Sequence, residues 1–99
     1  MIFDWDESKE RANIKNHDGI DFDEAGEAFY DDNAFEFFDA KHSTVKEKRF
    51  VCIGNSSKRL LRVSYTIRFD VEGNEIIRII SARKGKKPEQ NLYYGQQKQ

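Results

Sequence analysis

The stretch that most constrains the fold is residues 59–70, RLLRVSYTIRFD. Successive side chains of a strand point to opposite faces, so Leu61, Val63, Tyr65, Ile67 and Phe69 fall on one side. Leu60, Arg62, Ser64, Thr66 and Arg68 fall on the other. One face is apolar and has to be covered by other elements. The opposite one carries two guanidiniums and two hydroxyls, which suits a sheet with a polar working face.

The rest of the chain supplies the cover and the neighbouring strands. Ile2–Trp5 alternates like a short strand, and Asp6 can cap a helix that runs to about His17 and is ended by Gly19. His17, just ahead of that glycine, reads as a C-terminal helix cap. Asp21 to Glu24 resembles a capping box, and Phe22, Ala25, Ala28 and Phe29 repeat at helical spacing. After Asp31-Asp32-Asn33 the period changes. Residues 34–38, 48–54, 59–70 and 75–82 read as strands joined by short polar turns, which favours antiparallel neighbours. Pro88, followed by Leu92, Tyr93 and Tyr94, predicts a C-terminal helix that frays from about residue 95. The expected architecture is α+β: a short N-terminal strand, two helices, an antiparallel sheet of about four strands and a C-terminal helix, with the helices on one face. Ninety-nine residues predict a single domain over 1–99, with a core rich in its eight Phe, four Tyr and one Trp.

No apolar run is long enough to span a bilayer, and MIFDWDESKE lacks the pattern of a signal peptide, so a cytoplasmic, membrane-free protein is expected. The lone Cys52, between Val51 and Ile53, is expected to be a buried, inert thiol. The net charge of −1 hides a division at Ala40. Residues 1–40 hold thirteen Asp/Glu against three Lys/Arg, and residues 41–99 hold five against fourteen. Such segregation attracts a polyanion to one side and a cationic partner to the other.

The cationic half contains the candidate chemistry. If the hairpin register brings Arg78, Arg83 and Lys84 beside Arg62, Thr66 and Arg68, three or four cations converge on one groove. Guanidinium forks match phosphate oxygens, which makes RNA the natural ligand. Cutting RNA without a metal needs activation of the 2′-OH, cations for the charge on phosphate and an acid for the leaving oxygen. Arg68 and Arg83 are candidates for the second task, and His42, Glu47, Glu89, Tyr93 and Tyr94 for proton transfer. Neither His17 and His42 nor the acidic residues show metal-ligand spacing, and Gly54, Gly73 and Gly85 stand alone rather than in a phosphate-binding loop, so no cofactor is expected. The competing reading is a non-catalytic RNA- or protein-binding module that uses the same basic sheet face.

Phe3-Asp4-Trp5-Asp6 with Lys9 and Asn13, His17, Phe22-Asp23-Glu24-Ala25, His42-Ser43, Glu47-Lys48-Arg49, Tyr65-Thr66-Ile67-Arg68 and Arg78-Ile79-Ile80-Ser81-Ala82-Arg83 together resemble the BrnT family of toxins, from Phe3 to about Tyr93. The resemblance implies a RelE-like fold, translation inhibition by metal-independent RNA cleavage, and a hetero-oligomer with a ribbon-helix-helix, BrnA-like antitoxin, usually encoded beside the toxin. It also implies that any contact with operator DNA is made through that antitoxin. Carried over by position, the family's strand arginine falls on Arg68 and the arginine closing its Ile-Ser-Ala-Arg string on Arg83. Its His-Ser pair falls on His42-Ser43, and its Glu-x-Arg on Glu47 and Arg49. The chain departs from the family at Asp18, which lengthens a turn, and at Gly85-Lys86-Lys87-Pro88, which precedes Glu89 and the tyrosine pair.

Overall fold

In the computed structural model, which describes residues 1–96, the elements run β1 (Ile2–Trp5), α1 (Glu7–Asn16), α2 (Phe22–Glu27), a 3-10 turn (Ala28–Tyr30), β2 (Phe35–Phe38), β3 (Arg49–Asn55), β4 (Leu60–Phe69), β5 (Glu75–Lys84) and α3 (Lys87–Gln96). The tail beyond the end of α3, where fraying was expected, lies outside the described residues.

The strands form one sheet of five in the order β1-β5-β4-β3-β2. β2 to β5 are the expected antiparallel meander, but β1 joins it parallel to β5, from Ile2 opposite Ile76 to Trp5 opposite Ile79. The expectation of about four antiparallel strands is therefore corrected to a mixed sheet of five. The partner of β1 is some seventy residues away, and no turn residue announces a pairing of that kind.

Local chemistry explains where the helices begin. The Asp6 carboxylate accepts the N–H groups of Ser8 (2.8 Å) and Lys9 (3.2 Å), and Asp21 accepts that of Glu24 at 2.7 Å. α1 is too polar to be held by apolar burial. Its buried residue is Asn13, whose amide donates to the carbonyls of Ile20 and Ala82 and accepts the Ala82 N–H, each at 2.9 Å. α2 and the 3-10 turn do the apolar work: Phe22, Ala25 and Ala28 are wholly buried against Cys52, Leu61, Val63, Tyr65, Ile77, Ile79 and Ala82. Burial pushes the Cys52 thiol up to about 12, which leaves it protonated and unreactive at neutral pH.

The helices do not share one face, as had been expected. α3 crosses to the other side, where Tyr93 packs with Val51, Ile53, Leu60, Phe35 and Phe37. The reason lies in β3, whose Val51-Cys52-Ile53 run is apolar on both sides and so needs cover on both. This second cover spans β2, β3 and the Leu60 end of β4. The polar face foreseen in β4 survives over β4 and β5.

A register shift shapes that face. Ser64 pairs with Ser81 but Tyr65 pairs with Ile79, so Ile80 is an extra residue in β5. Positions 78 and 83 would point to opposite sides of a regular strand. The bulge turns Arg78, opposite Thr66, and Arg83, opposite Arg62, to the same side. Among the described residues no helix is long and apolar enough to cross a membrane.

Candidate functional site

The centre of the polar face is a cross-strand pair of arginines. Arg62 of β4 stands directly opposite Arg83 of β5, which by itself is repulsive. The first turn of α3 offsets the repulsion: Glu89 accepts two bonds from the Arg83 guanidinium, at 2.8 and 3.4 Å, and the Lys86 N–H at 2.8 Å. Burial raises the pKa of Glu89. The bonds from Arg83 and Lys86 and the charges of Arg83 and Arg62 outweigh it and hold the carboxyl below its ordinary value, so Glu89 is an anion. Arg62 bonds to the Ser64 hydroxyl (3.3 Å) and forms no direct ion pair among the described residues.

A second buried carboxylate stands two strands away, beside Arg49, whose partner Thr66 lies four residues along β4 from Arg62. Asp39 follows β2 and is tied to β3 by its N–H to the Arg49 carbonyl at 2.8 Å. It is 8 % exposed, and its side chain meets Nδ1 of His42 at 2.8 Å and accepts the His42 N–H at 3.3 Å. Burial again raises the pKa, while the two His42 bonds and the charges of His42 and Arg62 lower it further, leaving an ionised Asp39. A carboxylate has no proton to give, so Nδ1 carries the hydrogen. Nε2 is left for proton exchange on a ring that is 54 % exposed. Ser43 fixes the loop: its hydroxyl donates to the Asp39 carbonyl (2.7 Å) and accepts the Arg49 N–H (2.8 Å). Among the described residues Arg62 forms no hydrogen bond or ion pair with Asp39 or His42; its charge acts on Asp39 and on Glu89 only at longer range.

The remaining sequence candidates do not gather at that point. Arg68 lies six residues along β4 from Arg62, about 20 Å at strand rise, so Arg68 and Arg83 do not converge. Arg68 is exposed, 4.0 Å from Glu47, which also holds Arg49 at 2.9 Å. Glu47 and Arg68 border a shallow recess of about 410 Å³, shared with Lys46, Lys48, Phe50, Thr66 and Phe69. Thr66 is buried and gives its hydroxyl to the Lys48 carbonyl at 2.7 Å. Arg78 is committed across the β1–β5 pairing to Asp4, at 2.6 Å. Lys84, opposite Leu61, faces the helical side and approaches Asp18 at 3.7 Å. Tyr93 is buried at the far end of β3, its hydroxyl donating to Asp31 (2.6 Å) and accepting from Asn55 (3.1 Å). Tyr94 packs edge-on against it and is half exposed.

The cations therefore lie along a track on the polar face, with the Arg62–Arg83 cross-strand pair towards one end and the His42–Asp39 dyad beside Arg49 farther along it. Asp39 escaped the sequence reading. Its position three residues before His42, typical of a short capped turn, was the one signal available. The central place of Arg62 also went unrecognised, because it depends on which arginines are neutralised by neighbours.

A family model described as "Ribonuclease toxin, BrnT, of type II toxin-antitoxin system" matches residues 5–89. No curated protein matches the chain.

Proposed function

Since the chain belongs to the BrnT family of ribonuclease toxins of type II toxin–antitoxin systems, we propose that it cuts RNA at the His42–Asp39–Arg62–Arg83 cluster without a metal ion and thereby inhibits translation. The observation that supports the reading is Arg62, a guanidinium with no direct ion pair among the described residues, standing opposite the Glu89-braced Arg83 on a face that also carries the oriented His42 imidazole. Nε2 of His42 takes the 2′-OH proton, the 2′ oxygen attacks the adjacent phosphorus, and the 5′ oxygen leaves with a proton from solvent. Arg62 and Arg83 hold the charge that builds on the phosphate oxygens. Arg68, Arg49 and the lysines of the recess bind the flanking RNA strand. Among the described residues no three His, Cys, Asp or Glu side chains gather as metal ligands, and the scheme uses none.

The setting we propose is the cytoplasm, where a ribbon-helix-helix antitoxin of the BrnA type holds the toxin inactive and makes any operator contact itself. Single-stranded RNA incubated with the purified protein in EDTA tests the chemistry. Fragments ending in 2′,3′-cyclic phosphate are expected, with the rate reduced about 100-fold or more in His42→Ala and Arg62→Ala. Cutting that requires added Mg²⁺ would overturn the metal-free scheme. RNA that is bound but stays intact in either condition would make the protein a binding module.

A further inference from the structure

On the helical side of the sheet, opposite the arginine face, β1 and α2 leave a groove of about 400 Å³ between them. Its wall is aromatic. Phe22 is buried and Phe3 and Trp5 are half-buried, with Trp5 edge-on to Phe22 at 6.0 Å and Phe3 tilted against Tyr30 at 6.1 Å. Gly26 opens the middle of the groove, since a Cβ there would stand 3.6 Å from the Phe3 ring and cover it. The rim is acidic: Asp23 and Glu27 are exposed, one helical turn apart on α2, and neither forms an ion pair among the described residues. Tyr30, 63 % exposed, completes a stripe of Asp23, Gly26, Glu27 and Tyr30 at helical spacing.

These features select the occupant. A phosphodiester chain is repelled by unpaired carboxylates in the half of the chain that carries thirteen acids against three bases. An apolar stripe flanked by Lys or Arg is attracted, and a groove running beside a helix with a glycine at its centre admits another helix at close approach. We infer that this groove is the anchor point of the antitoxin, filled by a cationic amphipathic helix whose apolar residues lie on Phe3, Trp5 and Tyr30 and whose basic residues meet Asp23 and Glu27. The inference rests on family membership, which supplies a protein antitoxin as the partner. It places the grip of the antitoxin on the side of the sheet away from the proposed chemistry, so holding the toxin and blocking its cleft are tasks for different parts of the partner.

The test uses the toxin and a BrnA-type ribbon-helix-helix antitoxin, with affinity measured by calorimetry at two salt concentrations. Asp23→Lys and Tyr30→Ala alter exposed rim positions and leave Glu27, which accepts the Ser57 N–H at 2.7 Å, in place. Each is expected to weaken the complex at least about 10-fold at low salt, with Asp23→Lys losing most of the salt dependence of binding. RNA cutting by the free variants should match the parent. Antitoxin binding at parental affinity in both variants would overturn the inference, as would loss of binding in Arg62→Ala alone, which would put the partner on the basic face. A toxin dimer that Tyr30→Ala converts to monomer in sedimentation would assign the groove to a second copy and overturn it equally. Cutting is scored on the free toxin, so a failure of the proposed chemistry is read separately from a failure of the groove.

Discussion

At the scale of single residues, the polar face depends on two buried carboxylates, Asp39 kept ionised mainly by the two hydrogen bonds from His42 and Glu89 by those from Arg83 and Lys86. Glu24 belongs with them: the two bonds from Arg59, at 2.7 and 2.9 Å, come first among the causes that hold its carboxyl low. Asp31 is lowered too, because the Tyr93 hydroxyl and the Asn55 and Asn33 N–H groups outweigh the effect of burial. A group whose pKa falls on folding stabilises the native state above its unfolded value, and that contribution is lost as pH drops through the folded value. Urea midpoints should therefore be level above about pH 5 and fall steeply below about pH 4, and Glu24→Gln should flatten the acid limb. Asp39→Asn keeps an oxygen for Nδ1–H but removes the charge that favours imidazolium as the proton is taken. Its kcat for RNA cleavage is expected to fall at least about 10-fold while its melting temperature changes by only a few degrees. Arg83→Ala mixes the two effects, since it leaves Glu89 buried without its cation. A stability loss of about 1–3 kcal/mol should accompany its loss of activity and be visible in the same urea titration.

Elements show why some of the site was legible and some was not. Alternation in β4 correctly sorted Arg62, Ser64, Thr66 and Arg68 onto one face, because strand parity is a local property. Parity failed in β5, where Ile79-Ile80 hides a bulge: two adjacent isoleucines read as strand in either register, and the extra residue became visible only once the partner strand was placed. Distance failed as well, since a face shared by Arg68 and Arg62 says nothing about the five residues between them. Tyr93 looked available in a C-terminal helix and is instead the apolar anchor of α3 on β3. α1 is the opposite case, an element with little apolar face that is docked by one amide. Asn13→Ala removes three bonds and strands polar groups of Ile20 and Ala82, and is expected to cost about 2–5 kcal/mol in urea unfolding, with α1 the first segment to lose amide-exchange protection.

For the whole molecule, charge segregation and sheet topology matter more than any contact. The cationic track from Arg83 past Arg62 and Arg49 to Arg68 predicts that RNA affinity falls linearly on a log–log salt plot. For about three or four phosphates of a single strand the slope is about −2 to −3, to be checked by fluorescence anisotropy with an uncleavable RNA. The fold class was readable because the chain separates its helical and alternating segments. The mixed topology was not, because the pairing of β1 with β5 joins opposite ends of the chain. That pairing also sets a schedule for synthesis. β1 is made before the other four strands of the sheet, and its one neighbour there, β5, is made after them. Arg83 arrives with β5, and its brace Glu89 later still. A nascent chain stalled before residue 75 therefore has neither the complete sheet nor the Arg83–Glu89 pair, and the arginine face forms only after β5 and the start of α3 have been made.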